Sequence, residues 1–240
     1  MNIKELKNRL ISEYNILTEL HAHTTASTCS QVEPERMVEI YKELGYSAVC
    51  ITNHFTYEYK GLSKEAFLNR YMEDFERAEK RGKEIGIKAI LGAEIRFENT
   101  ENDYLIYGVN RKMLEEIYEL LPYGIQNFRN VYKMPDSLFI QAHPFRDDME
   151  ETDPALLDGI EVFNLHPNHN SRVGLAAAYA RENNFSVITA GSDFHHPGRK
   201  HEGVTGMRTK IVPEDSFHLA SILKNGDYLF EAGRNCLMIP

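Results

Sequence analysis

His21 and His23 flank a single alanine at the end of the apolar run 14–20. Imidazoles two apart on an extended strand point to the same side, so the pair is a ready chelate for a metal ion. Four later apolar runs also close on imidazole or acidic groups: 49–54 ends in His54, 89–94 in Glu94, 138–143 in His143, and 187–195 in Asp193 and His195. One strand-end histidine is more often a hydrogen-bonded structural residue, and a lone aspartate there can simply cap a helix. Five such endings in one chain reverse that balance. Imidazoles and carboxylates suit zinc, iron or manganese better than calcium, and there are more of them here than one tetrahedral ion can use. A multinuclear site follows. Two or three neighbouring cations lower the pKa of a shared water and neutralise phosphoryl oxygens, which is the division of labour that phosphoester hydrolysis needs.

Other residues carry weaker signals. Cys50, inside an apolar strand, reads as a small buried hydrophobe, whereas Cys29 lies in a polar loop six residues past His23, where a thiolate ligand is the alternative. Arg146 closely follows His143 and reads either as a surface cation or as a binder of phosphate or carboxylate. His218 sits within an amphipathic helical pattern and His196 and His201 in a loop, so none of the three is taken as a ligand. The stripe Leu219, Ile222 and Leu223 is core packing.

Ligands drawn from such distant positions need a scaffold that gathers strand ends. Pro34 opens a helical pattern that stops at Gly45, and a strand over 47–52 follows. The segment 64–85 is rich in helix formers, with Phe67, Tyr71, Phe75 and Ala78 at helical spacing, and Gly86 ends it before a strand over 87–94. Strands are expected over 104–109, 137–142, 159–163, 185–190 and 207–212, and helices over 111–121, 171–183 and 214–225, with a helical turn at 154–157. The stretch 122–136 shows no clear period and is left unassigned. Alternating strands and helices imply parallel strands with covering helices, and such sheets collect the carboxyl ends of their strands on one face. With no repeat, low-complexity tract or linker-like break, one domain over 1–240 is expected.

Composition narrows the setting. The 240 residues are 42% hydrophobic, enough for one sizeable core. A formal charge of -9 disfavours nucleic-acid backbone as a partner, although a cation-filled site would locally reverse that field. Cys29, Cys50 and Cys236 are odd in number and widely spaced, which reads as reduced thiols. The charged segment 1–13 lacks a signal-peptide core, and no apolar run reaches transmembrane length, so the expected address is the cytoplasm, with no membrane partner.

The ordered elements Glu19-Leu20-His21-Ala22-His23-Thr24-Thr25, Ile51-Thr52-Asn53-His54, Gly92-Ala93-Glu94-Ile95, Ala142-His143-Pro144 and Gly191-Ser192-Asp193-Phe194-His195 resemble the motifs of the PHP family. That family is named for its polymerase and histidinol phosphatase members. The resemblance spans nearly the whole chain and implies a distorted (β/α)7 TIM-like barrel, with a trinuclear divalent-metal site at the C-terminal ends of its strands. It implies that His21, His23, Glu94 and Asp193 hold one metal, with Glu94 bridging to a second that His143 also binds, and that His54 and His195 hold a third. Cys29 falls where some members place a histidine for that third ion, and cysteine suits a softer metal. The implied mechanism is in-line attack by a metal-bridging hydroxide on phosphorus, with Glu94 and Asp193 at the reacting centre and Arg146 assisting. Three departures stand out. Asn53 replaces the usual aspartate and so removes a carboxylate beside the third metal. Asp103 stands where the second metal commonly has a histidine. The loop 164–171 resembles a substrate-side loop and would turn His169 to the cleft, although a helix-capping loop is the other reading.

These residues favour a metal-dependent phosphoric ester hydrolase, a phosphoesterase or phosphatase of a small phosphorylated metabolite that uses two or three zinc, manganese or iron ions. A nucleotide phosphatase or exonuclease is the second reading; it needs a basic approach, for which Arg146, Arg172, Arg199, Lys200 and Arg208 are the candidates. A metal-binding regulatory protein with lapsed activity is the third, and the nearly complete ligand set argues against it. An amidohydrolase-like reaction at carbon would be favoured by a strand-end lysine, which the chain lacks. Substrate identity, native metal and oligomeric state are not legible from sequence.

Overall fold

The computed structural model describes residues 2–198, 205–233 and 236–240. Arg199, Lys200 and His201 lie outside the described residues. In chain order the elements are α1 (Ile3–Glu13), β1 (Ile16–Ala22), α2 (Pro34–Glu43), β2 (Ala48–Ile51), β3 (His54–Thr56), α3 (Lys64–Ile85), β4 (Lys88–Leu91), β5 (Ala93–Arg96), β6 (Asp103–Tyr107), α4 (Arg111–Tyr118), α5 (Gly124–Val131), β7 (Leu138–Gln141), β8 (Gly159–Asn164), α6 (Val173–Glu182), β9 (Ile188–Gly191), β10 (Thr205–Thr209), α7 (Ser216–Asn225), β11 (Leu229–Ala232) and β12 (Cys236–Met238). They form a mixed α/β fold with two six-stranded sheets, ordered β12-β11-β10-β1-β2-β4 and β3-β5-β6-β7-β8-β9.

β2 runs on into β3 and β4 into β5, each pair interrupted at one or two residues where the chain passes between sheets. Hydrogen bonds continue across the breaks: Gly92 N–H donates to Ile51 O at 3.0 Å and Glu94 N–H to Asn53 O at 3.0 Å. At the other junction Ala22 bridges Phe194 in parallel fashion, and His23 N–H donates to Phe194 O at 2.9 Å. One buried cluster accordingly draws Leu20, Cys50 and Ile90 from the first sheet and Leu105, Ile140 and Ala190 from the second, with Leu219 and Leu223 of α7. A second, aromatic cluster, including Phe55, Phe67, Tyr71, Phe97, Phe128 and Phe139, lies beneath α3, α4 and α5.

The alternation predicted parallel strands throughout, and the structure corrects this. β6 pairs antiparallel with both β5 and β7, and β10 pairs antiparallel with β1 and β11, as β11 does with β12. Only residues 97–102 join β5 to β6, and a parallel crossover needs about a dozen residues or more. The reversal matters for the site, because β6 begins at the rim where its neighbours end. Asp103, its first residue, therefore reaches that rim. The unassigned stretch 122–136 contains α5, whose buried face is little more than Gly124 and Phe128. α1 also escaped the sequence reading: it is held by an Asn2–Glu5 capping box and buries no residue. Among the described residues no helix is long and apolar enough to cross a membrane.

α3 begins at Ser63, whose side chain accepts from Ala66 N–H, and ends at Gly86 in the left-handed conformation. Inside it, Gly82 lets the helix lie against the following strand: a Cβ there would stand 2.6 Å from the Ile87 carbonyl oxygen. Helix propensity alone favours alanine over glycine by about 1 kcal/mol. The clash is with backbone and costs more, so Gly82→Ala is expected to lower the unfolding midpoint in urea, a net loss of about 1–2 kcal/mol. A stabilised variant would show that α3 is free to move off β4.

Candidate metal centre

Apart from Cys29, which lies in the loop between β1 and α2, each predicted ligand sits at or near an end of a strand. His21 lies in β1 and His23 just beyond it, His54 opens β3, Glu94 lies in β5, Asp103 opens β6, His143 follows β7, and Asp193 and His195 follow β9. His143 and Asp193 take positive φ angles of 29° and 50°, which non-glycine residues adopt at a cost of about 1–3 kcal/mol. Both are almost fully buried. The strain is spent turning two side chains inward at the points where β7 and β9 stop.

Glu94 is the centre of the arrangement. Its Oε1 lies 3.2 Å from His21 Nε2 and 3.1 Å from His143 Nε2, and its Oε2 lies 2.9 Å from His54 Nδ1 and 3.3 Å from His23 Nε2. Asp193 Oδ1 completes the ring at 3.2 Å from His23 Nε2 and 3.5 Å from His21 Nε2. His21 Nε2 and His23 Nε2 stand 3.1 Å apart, as the chelate spacing requires. Asp103 Oδ2 is farther out, 3.9 Å from His143 Nε2.

This donor set fits divalent cations. Glu94 Oε2 is buried and, among the described residues, has no partner in hydrogen-bond geometry despite two imidazoles within 3.3 Å. Leaving a buried carboxylate oxygen unpaired is costly, and lone pairs aimed at one point are what cation ligands present. Ligand atoms of His21, Glu94 and His143, of His21, His23 and Asp193, and of His54, Glu94 and Asp103 each lie within 4.8 Å of one another, as do those of His23, Cys29, His54 and His195. The last group brings the cysteine to the imidazoles. Burial pushes the Cys29 thiol up, but hydrogen bonds with His195 and His54 outweigh it and bring the pKa down to about 7. Burial likewise disfavours a charged His21, yet Glu161, Asp193 and Glu94 together raise its pKa well above the usual imidazole value.

A cavity of about 470 Å³ opens onto the ligands, lined also by Arg96, Glu101, Arg146, Asp147, Asp148, Met149, His166, Asn168, His169 and His196. All the candidate ligands, with Arg146 and His169, thus converge on one place. Arg146 Nη2 donates to Asp193 Oδ2 at 2.6 Å, while its buried Nε has no partner among the described residues. His169 packs on His166, ring centroids 4.5 Å apart, which places the 164–171 loop at the cleft. Of the candidates for a nuclease's basic approach, Arg146 lines the cavity, while Arg199 and Lys200 lie outside the described residues. Arg172 instead holds Phe145 O and Asp147, Arg208 pairs with Glu231, and the rim carries Glu101, Asp147 and Asp148. Asn53 does not leave a gap beside His54. Its Oδ1 accepts from Thr24 N–H and Ser27 Oγ, and its Nδ2 donates to Thr24 Oγ1 and, at 3.2 Å, to Asp74 Oδ1. An aspartate could not donate to Asp74, so the amide belongs to a network that fixes the 24–27 loop.

Sequence reasoning missed several partners. Arg96 clasps Asp103 through Nε and Nη2 at 2.8 and 2.7 Å. Glu161 contacts His21, and Glu19 lies behind the site with Oε1 accepting the N–H groups of Leu20, His21 and Ser192, each at 3.0 Å. A charged residue inside an apolar strand, as in Gly159-Ile160-Glu161-Val162-Phe163, was the available signal.

Residues 19–184 match the sequence profile of the PHP domain. The chain belongs to the PHP family. No curated protein matches it. Among solved structures it is similar to a candidate metal-dependent phosphoesterase from Bifidobacterium adolescentis ATCC 15703, with 16% identity, 76% of this chain and 89% of that chain covered, and a TM-score of 0.50. It is also similar to a two-domain protein from Bacteroides vulgatus ATCC 8482 containing a predicted PHP-like metal-dependent phosphoesterase, with 17% identity and a TM-score of 0.62. That match covers 91% of this chain and 65% of the other, less than two thirds of its length. At these identities the likeness shows the fold, and the PHP assignment rests on the domain match.

Burial raises the pKa of Glu19 to about 7, against the pull of its hydrogen bonds to His21, Ser192 and Tyr41. The native state then holds a proton that the unfolded chain, with a carboxyl near its ordinary value of 4.5, has released. Stability of the metal-free protein should fall as pH rises from about 4.5 to about 7, by on the order of 3 kcal/mol from this group. Glu19→Gln keeps an acceptor for the three N–H groups and should flatten that slope in urea unfolding at a series of pH values. An unchanged slope would show that Glu19 is ionised throughout.

Proposed function

We propose that this PHP protein is a metal-dependent phosphoesterase that hydrolyses a small phosphorylated metabolite, and that its two sheets are parts of one distorted barrel forming a single domain over 1–240. The observation that carries the catalytic reading is Glu94, a buried carboxylate ringed by four imidazoles from three other strands, His21 and His23 at the end of β1, His54 at β3 and His143 after β7. The bridge from Ala22 to Phe194 and the core shared between sheets support the barrel. In this reading His21, His23, Glu94 and Asp193 hold one ion, Glu94, His143 and Asp103 a second, and His54, His195 and Cys29 a third. Bound there, zinc, manganese or iron would supply a water of lowered pKa and neutralise phosphoryl oxygens.

The chain's own residues do the rest. Arg146 lines the cleft, its guanidinium is suited to a phosphoryl oxygen, and its link to Asp193 keeps that guanidinium in place. His166, whose pKa burial lowers to about 4, faces the cleft uncharged and serves as a hydrogen-bonding group rather than a cation. His169 beside it would contact the leaving group. The acidic rim at Glu101, Asp147 and Asp148 repels a polyanion, which favours a small ester over nucleic acid. Three free cysteines suit a reducing cytoplasm.

Purified protein supplied with manganese or zinc is expected to hydrolyse p-nitrophenyl phosphate or its diester analogue. His21→Ala and Asp193→Asn should each lower kcat by about a thousandfold or more while the circular dichroism spectrum is kept. Full activity in either folded variant would sink the metal-site reading. The third site has its own test. Cobalt-substituted protein should show a thiolate-to-cobalt charge-transfer band in the near ultraviolet that Cys29→Ser removes; a band that survives the substitution would take Cys29 out of the ligand set.

A further inference from the structure

Glu161 stands inside β8, almost fully buried, and none of its hydrogen-bond partners among the described residues is a lysine or arginine. Its Oε1 lies 2.9 Å from His21 Nδ1, and its Oε2 accepts from the His143 backbone N–H and from Asn164 Nδ2, both at 3.0 Å. Asn164 carries the contact onward. Its Oδ1 accepts from Arg146 Nη2 at 2.8 Å, and the same Nη2 donates to Asp193 Oδ2 at 2.6 Å. That Oδ1 also accepts from His166 N–H and Ser171 Oγ, both at 3.2 Å. A closed circuit runs from His21 through Glu161, Asn164 and Arg146 to Asp193, with a branch into the loop that brings His166 and His169 to the cleft.

β9 is shaped around this circuit. A Cβ at Gly191 would lie 2.5 Å from Glu161 Oε1 and 2.4 Å from His21 Cβ, so that strand has to be bare where the two side chains meet. A neutral imidazole carries one proton and can place it on either nitrogen. A carboxylate accepting the Nδ1–H leaves the Nε2 lone pair free, and Nε2 is the atom aimed at Glu94 and His23.

We infer that Glu161 and Asn164 are positioning residues: Glu161 fixes the nitrogen that His21 presents to the metal centre, and Asn164 ties that ligand to Arg146 and to the 165–171 substrate loop. The inference rests on the metal-dependent phosphoesterase reading above. Glu161 is acceptor-only at both oxygens. Glutamine cannot reproduce it, because its single oxygen can serve either His21 or the His143 and Asn164 donors; with the oxygen on those donors its NH2 faces His21 Nδ1 and drives the imidazole proton onto Nε2. Asn164 supplies a donor to one side and an acceptor to the other, a combination that neither aspartate nor alanine retains.

Metal affinity, measured by competition between the protein and a chromophoric chelator for zinc or manganese, is the first test. Glu161→Gln should weaken binding by about 10- to 100-fold. In a His21→Ala background the same substitution should have no further effect, because its partner is gone. Asn164→Ala should leave metal affinity near wild type but raise KM for an aryl phosphate more than it changes kcat. Wild-type affinity in Glu161→Gln, or an equal loss in both backgrounds, overturns the role of Glu161; an unchanged KM in Asn164→Ala overturns that of Asn164. A wild-type protein that binds neither metal overturns the phosphoesterase reading itself. Should Glu161→Gln fail to fold, long-range proton–nitrogen correlation on zinc-loaded wild type decides: His21 is expected to be protonated at Nδ1, and an unprotonated Nδ1 refutes the proposal.

Discussion

Glu94 imposes the condition that the rest of the architecture satisfies. A carboxylate with 1% exposure is tolerable only when positive or hydrogen-bonding groups surround it, and here four imidazoles reach it from β1, β3 and the end of β7. Burial opposes its ionisation, yet the charges of His54 and His21 carry its pKa well below the usual carboxylate range. Asp193 is treated alike: burial opposes its charge, while His21, His23, His195 and Arg146 hold its pKa well below normal. An interior so dense in charge has its balance set by bringing strands to one rim, and that requirement explains features otherwise expensive to keep. The strands break at 52–53 and at Gly92, His143 and Asp193 adopt positive φ, and Gly92 has no room for a Cβ between Cys50 and Thr52.

Around this centre the structure separates ligand from support. Atoms pointing inward come from imidazoles and carboxylates at strand ends; groups that aim them come from deeper in the strands or from helices. Glu19 gathers backbone N–H groups from β1 and from the residue after β9, and Tyr41 of α2 reaches it from behind at 3.1 Å. Asp74 of α3 reaches Asn53, and so steadies the loop that leads to Cys29. Helices in this fold therefore do more than cover the sheets. They place single polar groups behind the ligand-bearing turns, which is how outer contacts orient metal-binding side chains in general.

The site was more legible in the sequence than the fold was. Imidazoles and carboxylates ending apolar runs are visible without knowing how strands pair, because each is a local pattern with a chemical meaning. His21, His23, His54, Glu94, His143, Asp193 and His195 were found in that way, and geometry brings all of them together. Strand direction is not local. The reversal of β6 depends on the length of the 97–102 link and on which neighbour its edges meet, and alternation of elements records neither. β12 at the sheet edge and β11 beside it are strands of three and four residues, too brief for a period to emerge. Supporting residues were missed for the opposite reason: Glu19 and Glu161 sit amid apolar neighbours, where a charged residue looks like an interruption.

Asp103 shows how the two kinds of information combine. From the sequence it was an aspartate ahead of an apolar strand, in a place where a histidine was expected. Antiparallel β6 brings it to the rim, where Arg96 of the paired strand opposes it in register and grips both of its oxygens. Its charge is thus balanced by a guanidinium, whereas the groups that balance Glu94 among the described residues are imidazoles. Imidazoles are ligands that share a cation with the carboxylate; a guanidinium competes with it, because it cannot give up its proton or its charge. The same rim therefore holds two carboxylates of unlike character. Glu94 is surrounded by groups that can share a cation with it, and Asp103 is already gripped by one that cannot.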